Sequence, residues 1–182
     1  MKCAVRWLKT NAGEYGIDPE NIAVIGGSAG GHLAMMLGYS DDDDFPGNCE
    51  WDSVSARVQA IVDFYGPYDL TTEYARTHSL VGNFLGASYS ESPQIYERAS
   101  PKNYITVDDP PTLIFQGTID ELVPVSQSDS LHIKLDNTGV PNEYHRLKGW
   151  PHTMDLASSV NKYCQFYMMR FFMRTFQQTQ PL

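Results

Sequence analysis

The sequence predicts an α/β fold: a mostly parallel sheet with flanking helices. Three observations carry this. Short runs at 22–26, 58–66, 111–117 and 142–149 read as strands, and the first of them is an apolar run of the kind buried on both faces of a parallel sheet. Stretches with helical spacing of apolar residues separate them. Strand alternating with helix is the order that right-handed parallel crossovers require. Ligands of such sheets sit at the carboxyl ends of the strands, which directs attention to the loops after Gly26, Gly66, Gly117 and Lys148.

Taken in order, Ala4, Val5, Leu8, Ala12 and Tyr15 recur at helical spacing, predicting one helix over the first fifteen residues with Gly16 as its C-terminal cap. "GIDPEN" is a turn, and "IAVIG" the first strand. Leu33, Ala34, Met36 and Leu37 resume helical spacing directly after a run of glycines, so strand, sharp turn and helix follow in succession. The polar stretch "YSDDDDFPGNCEWDS" lacks the glycine and terminal glutamate of a calcium loop and is expected to be a solvated surface loop. "VQAIVDFYG" is the second strand. Residues 68–104 show no dominant period and suggest short helices and loops lying over something, a lid-like irregular insertion. "PTLIFQG", "SQSDSLHIKLDNTG" and "NEYHRLKG" read as strand, amphipathic helix and strand, and Met154 to Phe176 as a long final helix.

Composition narrows the functions available. The chain has 182 residues and a net charge of −9, which disfavours nucleic acid and anionic membranes as partners and leaves a neutral or weakly polar ligand. No apolar run approaches membrane-spanning length, since "CQFYMMRFFMRTF" is short and interrupted by Arg170 and Arg174. The three cysteines, Cys3, Cys49 and Cys164, are too few and scattered to imply a disulfide framework, and none has metal-ligand spacing. The compartment stays open, and the absence of a signal-like apolar region in this chain leans the expectation to the cytoplasm.

The motif "GGSAG" places Ser28 between a strand and a helix. A nucleophile at so tight a turn needs neighbours without side chains, and Gly26 and Gly30 are expected to remove the collision with strand and helix. The amide of Ala29, at the helix N-terminus, can then donate to an oxyanion. A serine hydroxyl needs a base, and the base an acid to fix its tautomer. The third strand ends in "FQGTIDELVP" with Asp120, and the fourth in "KGWPHTMD" with His152. His32, His78, His132 and His145 lie where packing or solvation suits them better, while Glu121 and Asp155 are rival acids. Asp155 is placed to cap the last helix. Gly27 and Trp150, beside the serine and histidine, are candidate substrate contacts, although holding the histidine loop suits Trp150 equally. Tyr74, Phe84, Tyr89 and Tyr96 could roof a site or pack in a core.

With this trio in view, "AVRWLKTNAGEYGIDPENIAVIGGSAGGHLA", "VQAIVDFYGPYDL", "SPKNYITVDDPPTLIFQGTIDELVPVSQS" and "GWPHTMDL" resemble the α/β-hydrolase superfamily. The resemblance is to its esterase and lipase branch, related to hormone-sensitive lipase and to carbohydrate acetyl and feruloyl esterases. It implies one hydrolase-like domain over 1–182, with Ser28 as nucleophile, His152 as base, Asp120 as its orienter and Ala29 as an oxyanion donor. It implies no metal or organic cofactor, and a small ester as substrate. The family's glycine-rich "HGG" oxyanion loop lies upstream of the helix where this sequence starts, so an incomplete α/β-hydrolase fold is expected. The Ile22–Gly26 strand should then be a sheet edge, inviting homo-oligomerisation, and the Gly66–Tyr68 loop or a neighbouring subunit could supply a second oxyanion donor. A serine peptidase of the prolyl-oligopeptidase type and a hydrolase-like binding module without turnover are the alternatives.

Overall fold

A computed structural model describes residues 1–177. Four parallel strands, β1 (Ala23–Gly27), β2 (Ala60–Phe64), β3 (Thr112–Gly117) and β4 (Asn142–Leu147), pair in the order β1-β2-β3-β4. Every residue of β2 and β3 is buried, as expected of the central strands of a sheet covered on both faces. Alternate residues feed two cores. Ile61 and Ile114 meet Val5, Ala34, Met35 and Leu131 on one face. Val62, Leu113 and Phe115 meet Val160, Cys164 and Phe171 on the other. Helices α1 (Lys2–Thr10), α3 (Ala29–Tyr39) and α7 (Ser126–Thr138) supply the first layer, and α8 (Ser158–Gln177) the second. β1 lies at one edge of this sheet, with Ile25 52 % exposed. Among the described residues no helix is long and apolar enough to cross a membrane.

Several expectations are corrected. The first fifteen residues form two helices, α1 and α2 (Ala12–Tyr15), divided at Asn11, whose backbone N–H and side-chain amide both donate to the Trp7 carbonyl. Gly16 does cap the second helix in the left-handed conformation, at φ 65°. The final helix is likewise divided: a 3₁₀ turn spans Met154–Leu156, and Ala157 is extended before α8 begins. The aspartate-rich loop is not simply solvated. Asp42 accepts from the Ser55 hydroxyl, the Ala56 amide and the guanidinium of Arg6, whose side chain is only 2 % exposed. These contacts hold its carboxyl below the usual range against the opposing effect of burial.

Cys3 and Cys49 form a disulfide, which their wide spacing concealed. It ties the start of α1 to the aspartate-rich loop across a separation of 46 residues. Closing a loop of that length stabilises a fold by about 2–4 kcal/mol. Thermal melts with and without reductant should differ accordingly, and Cys3→Ser should lose the reductant dependence.

Residues 68–104 contain three short helices, α4 (Glu73–Thr77), α5 (Ser79–Leu85) and α6 (Pro93–Arg98), around a small core of Leu70, Ala75, Val81 and Tyr96. The entry to this segment is pinned to α7, where Gln127 Oε1 accepts the amides of Tyr68 and Asp69 at 2.9 and 2.7 Å. That places α4 and α5 above the carboxyl ends of the strands.

Candidate active site

Ser28 leaves β1 with φ 56° and ψ −121°, a conformation that L-residues rarely adopt. Such a backbone costs of order 1–3 kcal/mol and persists only where surroundings enforce it. Two amides do so: Ser28 N–H extends the β-ladder to the Phe64 carbonyl at 2.8 Å, and His32 N–H returns to the Ser28 carbonyl at 3.0 Å. The glycines make room, but not as the motif suggests. A Cβ at Gly26 would land on the Gly30 carbonyl, whereas a Cβ at Gly30 would meet nothing. The second required glycine is Gly31, where a Cβ would strike Asp63. Gly26→Ala should therefore disrupt the turn, lowering stability by about 3 kcal/mol or more. Gly30→Ala should fall within about 1 kcal/mol of wild type, on the stable side if the helix dominates; denaturant titrations separate the two.

Three side chains from separate loops converge at this turn. The Ser28 hydroxyl lies 3.0 Å from His152 Nε2, and His152 Nδ1 lies 2.7 Å from Asp120 Oδ2. A carboxylate can only accept, so Nδ1 carries the proton, and Nε2 is left to accept from the serine hydroxyl. Asp120 is fully engaged: Oδ1 accepts the Leu122 and Val123 amides at 2.9 and 2.8 Å, and Oδ2 also accepts from Gln116 Nε2 at 3.1 Å. Its carboxylate is thus oriented by the backbone of its own turn and by a buried glutamine of β3. Ala29, the first residue of α3, borders the same cavity as Ser28 and His152.

The other candidates divide, and of the histidines His32 and His78 border this cavity too. Trp150 packs with the core against α8, and its carbonyl accepts from Ile119 N–H and seats closely on Gly117. It holds the histidine loop and does not line the cavity, nor does Gly27, which faces the Tyr65 hydroxyl. Asp155 caps no helix: its carboxylate accepts from Tyr65. His32 is buried with Nε2 2.7 Å from the Ala99 carbonyl, and His132 and His145 bond to Asn142, Glu143 and Tyr163. Glu121 is exposed. Tyr74 and Phe84 line the cavity, while the Tyr89 and Tyr96 rings meet edge to face at 5.2 Å.

The Gly66–Tyr68 loop offers no oxyanion donor. Gly66 N–H is taken by Asp63 Oδ1 at 3.0 Å, Pro67 has none, and Tyr68 N–H is taken by Gln127.

Two residues went unnoticed in the sequence. Tyr65, at φ 45°, lays its ring 4.5 Å from the His152 ring and bonds to Asp155 three residues beyond it, bracing the histidine loop. Its place immediately before "GP" at a strand end was the available signal. Asp63 lies beneath the serine turn, wedged against Gly31 and Gly66, and its Oδ2 has no hydrogen-bond partner. Loss of hydration pushes its carboxyl up to about 8, against a weaker pull from the Gly66 amide. The unfolded chain ionises such a group near pH ~4, so folding retains a proton between the two values. Asp63 contributes stability in full below about pH 4, and this is lost as pH rises to about 8, at up to about 1.4 kcal/mol per pH unit. The unfolding free energy of Asp63→Asn relative to wild type should therefore rise between those limits and level above them. A pH-independent difference would mean that the folded carboxyl is ionised.

Comparison with known proteins places the geometry in context. A family model described as BD-FAE matches residues 1–135. The chain is 34 % identical to the Mycobacterium tuberculosis esterase LipQ over 168 residues, covering 88 % of this chain and 39 % of LipQ. It is 36 % identical to the probable carboxylic ester hydrolase LipM of the same organism, covering 87 % of this chain and 38 % of LipM. A truncated carbohydrate esterase from gut microbiota superposes with a TM-score of 0.80 at 28 % identity, covering 96 % of this chain and 66 % of that one. The chain spans about two-fifths of the length of the curated relatives.

Proposed function

This chain belongs to the BD-FAE family, in the esterase branch of the α/β-hydrolases, and from that membership we propose that it is a serine carboxylesterase acting on short acyl esters, acetylated or feruloylated carbohydrates among them. The observation that carries the reading is the continuous relay from the Ser28 hydroxyl through His152 to Asp120.

In this reading Ser28 Oγ attacks the ester carbonyl while its proton passes to His152 Nε2. The carbonyl electron pair moves onto oxygen, where the Ala29 amide at the N-terminus of α3 donates to it. On collapse the carbon–alkoxy bond breaks, and the imidazolium returns its proton to the departing alcohol. Water, deprotonated by the same nitrogen, then attacks the acyl carbon, and the bond to Ser28 Oγ breaks as the imidazolium returns the proton to that oxygen and the acid leaves. Asp120 stays ionised throughout and steadies the imidazolium.

The engaged amides of the Gly66–Tyr68 loop favour a second reading, a hydrolase-like module that binds esters without turnover. Hydrolysis of p-nitrophenyl acetate and an acetylated xylo-oligosaccharide, with no cleavage of a proline amide, is expected of the esterase. Well-folded protein that hydrolyses neither ester would favour the binding module. The exposed edge of β1 supports self-association, which size-exclusion chromatography with light scattering tests: a stable monomer counts against it. The Cys3–Cys49 bond supports an oxidising compartment over the cytoplasm.

A further inference from the structure

Two cavities lie along one face of α3. The smaller, about 130 Å³, is bordered by Ser28, Ala29 and His152. The larger, about 550 Å³, meets the same helix at His32, Met36 and Ser40. Positions 28, 32, 36 and 40 recur every four residues, so they form one stripe leading away from the serine. His32 and Phe84 border both cavities, and their rings meet edge to face at 5.8 Å. Burial lowers the pKa of His32, against a weaker opposing effect of its bond to the Ala99 carbonyl. Phe84 is 60 % exposed and forms a step that is not packed from all sides.

We propose that this trough extends the site's range from short acyl esters to longer ones, as an acyl-binding cleft: the compartment at Ser28 takes the ester carbonyl and the first acyl carbons, and the compartment beyond the His32–Phe84 step takes a medium-length alkyl tail. The inference rests on the reading of Ser28 as nucleophile. By helical rise Met36 lies about 12 Å along the axis from Ser28, a span that acetyl cannot cover and a medium-length acyl chain does. A cavity near 130 Å³ is below the size usual for ligand sites, roughly 300–1,000 Å³, whereas the larger one falls within it. Its walls are mainly apolar, with Leu33, Leu37 and Leu85 beside Met36, so each methylene buried there strengthens binding by about fourfold.

The test is the ratio of kcat/KM for p-nitrophenyl octanoate to that for the acetate. Met36→Trp, which puts a bulky ring into the distal compartment where the tail would run, should lower this ratio at least tenfold, and Phe84→Ala, which removes the step, should raise it severalfold. An unchanged ratio in both folded variants overturns the proposal. Calorimetric binding of decanoate to Ser28→Ala protein supplies a readout independent of turnover. If no ester is hydrolysed, the catalytic reading has failed, and the cleft stands on saturable decanoate binding that Met36→Trp weakens at least tenfold; absence of such binding overturns it. Dimerisation abolished by Met36→Trp, with ester preference unaltered, would overturn it in favour of a protein contact.

Discussion

Ser28→Ala is expected to lower kcat/KM on p-nitrophenyl acetate by at least about 10⁴-fold, because removing the nucleophile leaves only binding and oxyanion stabilisation to act on water. The fold should survive, since the elbow is held by the Ser28 and His32 amides and not by the hydroxyl. Ser28→Gly should be equally inactive but more stable than wild type by about 1–2 kcal/mol, because glycine adopts φ near 56° without penalty. Measuring activity and unfolding together distinguishes this from general damage. Inactivation accompanied by lower stability in both variants would place the defect in the fold.

Asp120→Asn is expected to lower kcat by about 10⁴-fold with little change in KM. Asp120 Oδ1 accepts two backbone amides, so the variant amide would keep its oxygen there and turn its NH₂ toward His152 Nδ1 and Gln116 Nε2. Two donors cannot face one another, and His152 escapes by moving its proton to Nε2. That nitrogen then points a proton at Ser28 and can no longer take one. Near-normal kcat in Asp120→Asn would show that the carboxylate does not set the tautomer.

The framework of this site could be read from the sequence because a centrally buried strand is mostly apolar: "IVDF" and "TLIF" each hold three apolar residues and one polar one, with no helical period. The carboxyl ends of β1, β3 and β4 then determine which loops meet, and Ser28, Asp120 and His152 follow them in that order. What escaped depends on packing between distant segments. Gly31 is required because Asp63, on another strand, occupies the space a side chain would need, while Gly30, the motif's own residue, faces open space. Tyr65 has a positive φ without being glycine, so no residue type announces it. Cys3 and Cys49 meet only because α1 folds back onto the loop after α3. The helix divides at Asn11 although the apolar spacing continues across it, so the period alone does not mark the boundary.

Labelling with a fluorophosphonate, followed by mass mapping of the adduct, tests most directly whether a proton can pass from hydroxyl to imidazole at this turn. The expected result is a single adduct on the peptide carrying Ser28, formed far more slowly in His152→Ala. Folded protein that stays unlabelled, or that carries its adduct on another serine, would contradict the account.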